Sequence, residues 1–433
     1  MGQGDMGFLG SKKLKTPNLD ALASEGIYCN NAYVTSSVCA PSRAGMLTGR
    51  QPQRFGFENN LNRWNESMAD RPEFHGLTPG EYTIADHFKN AGYETALIGK
   101  WHLGEMEVHH PNNRGFDYFC GMLGGSHNYF PEKGYNRIQR NGKPVTEFSS
   151  SYLTDFFTDE GVNWIKDHKD KPWFLFVSYN APHTPMQAKE EDMALFMDIE
   201  YKGRRTYAAM VNALDRGAGR LVETLRREGQ LENTLIVFFA DNGGATTNHC
   251  WRGPYSGSKG NMREGGIHVP MFWYWKGHLK AGRTDAVISS LDLLPTFLAI
   301  AKAKPLEAFD GKGKKRHPRV YDGYNVLPVL EGKEPAHTRR LFWRLQGQCC
   351  VLNGKDKLIR LSHRTAQFFR PFKDPGERKD LSNENKERTM EMYNLLLKWE
   401  SGLSTSPHFF TSPYWIGVSA KNYDEYNPVP EPE

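Results

Sequence analysis

The chain of 433 residues holds no unbroken apolar run of about 18 residues, so no membrane-spanning helix is expected in it. Charge of one sign is concentrated nowhere. Lys and Arg number 55 against 50 Asp and Glu, a formal net charge of +5, and the basic residues are dispersed. A nucleic-acid partner needs a basic face, and none is readable here. The six cysteines (Cys29, Cys39, Cys120, Cys250, Cys349, Cys350) lack metal-site spacing. Repeats and low-complexity tracts are missing too, although Gly (42) and Pro (25) are plentiful. This excludes a solenoid or a disordered chain and leaves a loop-rich globular protein of roughly two to three structural units. The opening Met1-Gly2-Gln3-Gly4-Asp5-Met6-Gly7 lacks the basic and apolar regions of a signal peptide and reads as a loop.

What is present is an alternation of strand and helix signals. Residues 94–98, 173–177 and 234–240 are short apolar runs of the kind buried on both faces of a parallel sheet. Between them lie helical patterns. Residues 83–91 place Ile84, Ala85 and Phe88 on one face, 155–168 place Phe156, Phe157, Val162 and Ile165, and 207–229 form a long amphipathic stretch. The predicted class is α/β, a large doubly wound mixed or parallel sheet domain. After about residue 330 the texture changes. Runs at 340–344, 350–352 and 357–359, the last behind Asn353-Gly354, predict an antiparallel hairpin sheet with a helix over 385–399 packed on it. The expected division is 1–330, 331–405 and an extended Pro- and Tyr-rich tail, 406–433. The vicinal Cys349-Cys350 reads as two strand residues.

Each of the first three strands runs into chemistry. The first leads to Gly99-Lys100-Trp101-His102, the second to Asn180-Ala181-Pro182-His183, the third to Asp241-Asn242-Gly243-Gly244. Open α/β sheets bind ligands just beyond the carboxyl ends of their strands. Singly, each motif has a plain structural account, and Asp-Asn-Gly-Gly is a common turn at a strand end.

The segment Cys39-Ala40-Pro41-Ser42-Arg43, continued by Leu47-Thr48-Gly49-Arg50, resembles the signature of the formylglycine-dependent sulfatases of the alkaline-phosphatase superfamily. Its other motifs run from Met1 to about Leu381. The resemblance implies a catalytic α/β domain over 1–330 and a small antiparallel sheet with one helix after it. It also implies that a formylglycine-generating or sulfatase-maturing enzyme reads the Cys39 motif in the unfolded chain and oxidises the thiol to 3-oxoalanine. With Cys39 so used, five cysteines remain and a full disulfide framework is excluded.

The implied chemistry is sulfate ester hydrolysis. One hydroxyl of the hydrated aldehyde at Cys39 attacks sulfur, and loss of the proton from the second hydroxyl expels sulfate. Ca²⁺, with Mg²⁺ as the alternative, is held by Asp241, Asn242 and the modified Cys39. Arg43 holds the formylglycine oxygens, Lys100 and Lys259 grip sulfuryl oxygens, His102 is the eliminating base, and His183 binds the ester and shares the acid role with Lys259. His127 is a further substrate contact, with Arg63, Trp64 and Arg252 in loops near the same mouth. The aromatic residues Trp64, Tyr129, Phe130, Trp251 and Tyr255 suit stacking on sugar rings, so a sulfated saccharide is the expected substrate.

The family carries two adjacent aspartates just before a loop like Met1 to Asp5, and neither lies in this sequence. The expectation is a sequence incomplete upstream, with its first strand missing, and with Asp5 fixing a turn rather than ligating metal. Two rival readings remain: a phosphonate monoester or phosphodiester hydrolase of the same superfamily, and a catalytically impaired glycan-binding relative. Family resemblance implies a periplasmic or extracellular location.

Overall fold

The computed structural model describes residues 1–61, 75–131, 136–307, 320–362, 364–403 and 423. Arg63, Trp64 and the expected tail, Tyr423 apart, lie outside the described residues. In chain order the strands are β1 (Ile27–Tyr33), β2 (Glu94–Lys100), β3 (Tyr118–Met122), β4 (Gln139–Arg140), β5 (Lys143–Pro144), β6 (Trp173–Ser178), β7 (Ile236–Phe239), β8 (Met271–Tyr274) and β9 (Gly282–Ser289). A later group comprises β10 (Arg340–Leu345), β11 (Gln348–Asn353), β12 (Asp356–Leu361) and β13 (Gln367–Phe369). The helices are α1 (Pro17–Glu25), α2 (Cys39–Thr48), α3 (Ile84–Asn90), α4 (Leu153–Asp167), α5 (Glu190–Ala194), α6 (Lys202–Arg227), α7 (Glu264–Ile267), α8 (Leu293–Ile300), α9 (Leu327–Leu330) and α10 (Lys386–Ser401).

The three apolar runs become β2, β6 and β7. β2 lies between β3 and β6, parallel to both, in the order β5-β4-β3-β2-β6. β7 starts the order β7-β8-β1-β9, where β8 runs antiparallel to both neighbours and β1 pairs parallel with β9. The core is therefore mixed rather than wholly parallel. Helices cover both faces. On one, α2, α3 and α8 bring Leu47, Phe88 and Leu294 against Leu97, Phe119 and Trp273. On the other, α1 and α6 bring Leu19, Leu22, Met210 and Leu225 against Tyr28 and Phe272, while α4 seats Phe156 and Phe157 on Ile98 and Cys120. Burying two faces removes the hydrophobic–polar alternation that marks an exposed strand. α6 starts at Lys202, before the apolar stripe that revealed it, because its first turn is polar.

β1 and β9 carry no strand signal in sequence. β1 contains Asn30-Asn31, and β9 opens on a segment with Gly282 and Asp285, and Asn, Gly and Asp are depleted in strands. Their parallel pairing, with an irregularity between Cys29 and Asn31, is a tertiary outcome.

The third sheet is wholly antiparallel, in the order β10-β11-β12-β13. Period-two alternation divides it. Leu341, Trp343, Cys350 and Leu352 face Tyr33, Ile267 and Leu291 of the large domain, while Cys349 and Val351 face Met392 and Leu396 of α10. The vicinal cysteines thus point to opposite faces, and all six cysteines are buried free thiols. Trp343 Nε1–H donates to Val34 O at 2.6 Å, tying this sheet to the segment that follows β1.

Candidate active site

β1 delivers the chain to Cys39, the first residue of α2, a helix buried along its whole length. Gly45 is obligatory there, since a Cβ on it would sit 2.3 Å from Thr35 Oγ1. Thr35 Oγ1 lies 3.3 and 3.2 Å from the Pro41 and Ser42 carbonyls and fixes the approach to the helix.

Arg43 lies one turn beyond Cys39, on the same side of the helix. Its Nε donates to Trp101 O at 2.9 Å and its Nη2 to Lys100 O and Ser178 Oγ, while Nη1 stands 3.7 Å from Asp241 Oδ2. One side chain thereby joins the ends of β2 and β6 to the segment after β7. Lys100 ends β2 almost fully buried. Burial, with Lys259 and Arg43 nearby, holds its pKa below the usual lysine value, against Cys39 and Asp241.

His102 has φ = 61°, in the left-handed region that few non-glycine residues adopt. Burial, reinforced by Lys100, Arg43 and Lys259, drives its pKa far below the usual histidine value, so the imidazole is neutral. Its Nδ1 is buried without a partner among the described residues. The ring lies on Gly125, where a Cβ would come within 2.6 Å of Nε2. Gly125→Ala is accordingly expected to displace the imidazole and lower kcat about 10²-fold, the usual cost of a misplacement near 1 Å. Steady-state assay of the variant checks this, and an unchanged kcat would show that the ring position is unimportant.

His183 follows β6 in a turn held by Tyr129, whose hydroxyl lies 2.9 Å from both the Asn180 and the His183 carbonyls. Its Nδ1 lies 2.7 Å from Thr184 O, a pure acceptor, so Nδ1 carries the proton and Nε2 the lone pair. Burial, then Lys259 and Lys100, push its pKa down to about 4. Lys259 Nζ donates to that Nε2 at 3.3 Å and to Cys39 Sγ at 3.1 Å. Against burial, Cys39 and Asp241 raise the Lys259 pKa and keep the ammonium charged.

The Lys259 backbone is held from three sides. Lys259 N–H donates to Gly244 O at 3.0 Å and Gly260 N–H to Ser37 O at 2.8 Å. Gly260 O accepts from Gln348 Nε2 of β11 at 2.9 Å. Behind the loop, Glu264 of α7 pairs with Lys357 of β12 at 2.6 Å and accepts from Tyr33 OH at 2.8 Å. Lys357 also meets Glu377 at 2.8 Å. The Lys357 ammonium holds the Glu264 carboxyl near 2 against the pull of burial, which pushes Glu377 up.

Asp241 and Asn242 follow β7. Burial alone would raise the Asp241 pKa; Lys100, Arg43, Lys259 and the Met1 amino group overcome it and hold the carboxyl far below the usual range. Asn242 Nδ2 donates to Gly243 O at 2.8 Å, and its buried Oδ1 has no partner among the described residues. No three His, Cys, Asp or Glu side chains converge on a metal position among the described residues. The donors present are a carboxylate and an unpaired carbonyl oxygen, hard ligands that fit a divalent cation of the Ca²⁺ type. Asp5 instead anchors the N-terminal loop, accepting from Gly2 N–H, Trp251 N–H, Arg204 and Tyr207 OH.

Cys39, Arg43, Lys100, His102, His183, Asp241, Asn242 and Lys259 thus gather at the start of α2 and beyond the ends of β2, β6 and β7. His127 does not offer a ring nitrogen to a substrate here: Nδ1 lies 2.8 Å from Asn128 O, and Nε2 accepts from Arg137 N–H at 2.9 Å. Tyr129 is wholly buried and is no sugar platform; its hydroxyl sets the His183 turn instead. Tyr255 is half-buried against His268, with ring centroids 4.6 Å apart. Sequence reading gave Tyr129 a different role and missed Ser178 and Gln348, neither of which sits in a motif. Only the position of Ser178 at a strand end hinted at a role.

The cations around this buried cysteine stand on an α/β domain of the alkaline-phosphatase superfamily. Within it the chain belongs to the sulfatase family, whose sequence model, described as "Sulfatase", matches residues 1–303. It is 32% identical over 358 residues to the uncharacterized sulfatase YdeN of Escherichia coli (76% of this chain, 59% of that protein). It is 31% identical over 348 residues to N-acetylgalactosamine-6-sulfatase of Homo sapiens (76% of this chain, 64% of that protein). The chain therefore spans less than two thirds of the length of these curated relatives. The crystal structure of Ps i-CgsB in complex with k-i-k-neocarrahexaose is similar over 98% of this chain and 95% of that one, at 36% identity and a TM-score of 0.86.

Proposed function

We propose that the protein is a sulfuric ester hydrolase acting on a sulfated saccharide, with Cys39 oxidised to the formylglycine aldehyde as nucleophile. The observation that carries this reading is the position of Lys259 Nζ, 3.1 Å from Cys39 Sγ and 3.3 Å from His183 Nε2. It places a charged donor between the nucleophile position and a neutral imidazole. The hydrated aldehyde supplies two hydroxyls on one carbon, one to attack and one to drive release of sulfate. Ca²⁺, held by Asp241 and Asn242, supplies charge neutralisation at the ester oxygens when bound.

The chain's own residues do the rest. Lys100 and Arg43 set positive potential where the sulfuryl oxygens gain charge. Lys259 protonates the leaving oxygen, and His183 accepts from Lys259 and so orients that ammonium. His102, neutral and with Nδ1 free, takes the proton from the second hydroxyl. The saccharide assignment is supported by the likeness to a structure that holds k-i-k-neocarrahexaose. Maturation by a formylglycine-generating enzyme, and export to the periplasm or the outside of the cell, belong to the same reading. No helix of the described residues is long and apolar enough to cross a membrane.

Coexpression with a maturing enzyme, followed by mass spectrometry of the Cys39 peptide, is expected to show aldehyde in place of thiol. That protein is expected to release sulfate from sulfated oligosaccharides, to stop when Ca²⁺ is chelated, and to recover on its return. A preference for matched aryl phosphate over aryl sulfate would replace this reading by the phosphohydrolase one. An aldehyde-bearing protein that binds sulfated glycans without turnover would replace it by the glycan-binding one.

A further inference from the structure

Asn180 is 4% exposed, yet neither Nδ2 nor Oδ1 has a hydrogen-bond partner among the described residues. A buried carboxamide left unpaired in this way is costly, and such groups call for a ligand or a water. Its position says where that ligand lies. β6 alternates: Phe174 and Phe176 face the α2 side, Phe176 lies under the Arg43 guanidinium at 5.4 Å, and Ser178 Oγ accepts from Arg43. Leu175 and Tyr179 point the other way, with Tyr179 OH 2.7 Å from Thr158 Oγ1. Asn180 lies two residues past Ser178, the end of β6, at the start of the turn that presents His183. The backbone there is fixed, because Asn180 O accepts from Tyr129 OH and from His183 N–H at 2.8 Å.

We propose that Asn180 is a substrate-binding residue of this site, its Nδ2–H donating to a non-bridging oxygen of the sulfate ester. The inference rests on the sulfatase reading above and adds to it a contact outside the ring of cations. A sulfate monoester presents acceptor oxygens and a single negative charge. A neutral donor adds a hydrogen bond without adding a fourth positive charge to Arg43, Lys100 and Lys259. Among the described residues these backbone bonds run through the Asn180 carbonyl and leave the side-chain amide without a partner.

The test compares wild type with the near-isosteric Asn180→Leu, both coexpressed with a maturing enzyme. The variant is expected to melt at or above the wild-type Tm, because an unpaired polar group has become apolar. Its kcat/KM on a sulfated oligosaccharide is expected to fall roughly ten- to a hundredfold, as for loss of a hydrogen bond to a charged group. Inorganic sulfate is expected to raise the Tm of wild type more than that of the variant at the same concentration, a readout independent of turnover. Activity within twofold of wild type would overturn the proposal. So would a lowered Tm accompanying the lost activity, since the amide would then be a structural link. A wild type that neither hydrolyses a sulfate ester nor gains Tm from sulfate would overturn the sulfatase reading itself, and this inference with it.

Discussion

Cys39→Ser is expected to lower sulfate ester turnover by about 10⁴- to 10⁶-fold while leaving the fold intact, the scale on which loss of a nucleophile is felt. Serine has nearly the shape of cysteine and can still accept from Lys259, so α2 and its neighbours have no reason to move. What it lacks is the second hydroxyl on the same carbon. A serine that attacked sulfur would have no internal means of expelling sulfate, and the site would stall after one event. Sulfate release under multiple-turnover conditions, with circular dichroism as the control for folding, checks this. Retention of more than a few per cent of wild-type activity would mean that Cys39 is not the nucleophile.

Lys357→Met is expected to cost about 3–5 kcal/mol of stability at neutral pH, as when one partner of a buried ion pair is removed. Lys357 is wholly buried between Glu264 and Glu377. In its absence both carboxyls lose their counter-ion and burial raises both pKa values. Groups whose folded pKa exceeds the unfolded one penalise folding most at high pH. The penalty shrinks as pH falls through the raised folded values and is gone below the unfolded carboxyl value, about 4.5 for glutamate. The deficit of the variant should therefore shrink between pH 7.5 and 4.5 in urea unfolding, reversing the wild-type trend at Glu264, whose depressed pKa makes its contribution fall with acid. A deficit independent of pH would assign the loss to packing alone. Because Glu264 lies five residues past Lys259, the variant should also lose kcat.

Legibility in the sequence followed the physics of each element. β2, β6 and β7 were readable because both faces are buried and the runs are continuously apolar. β1 and β9 were not, since Asn30-Asn31 and Arg283 to Asp285 become strand only through mutual pairing. The proposed catalytic set was readable as far as motifs reach: Cys39, Arg43, Lys100, His102, His183, Asp241, Asn242 and Lys259 lie together at the start of α2 and beyond the ends of β2, β6 and β7. His127 matched in type and loop position, but local backbone groups occupy both ring nitrogens. Gln348 and Lys357 act from about ninety residues beyond the loop they brace, a relation that spacing cannot reveal.

The bracing of the Lys259 loop by the antiparallel β10–β13 sheet has a temporal side. A ribosome makes Cys39 early and Lys357 more than three hundred residues later, roughly 15 to 60 s at about 5–20 residues per second. Until β11 and β12 emerge, Gly260 O lacks Gln348 and Glu264 lacks its lysine, so the pocket wall opposite Cys39 has no backing. On the proposed function, an enzyme that oxidises the Cys39 thiol would have that interval in which to act, until this sheet docks.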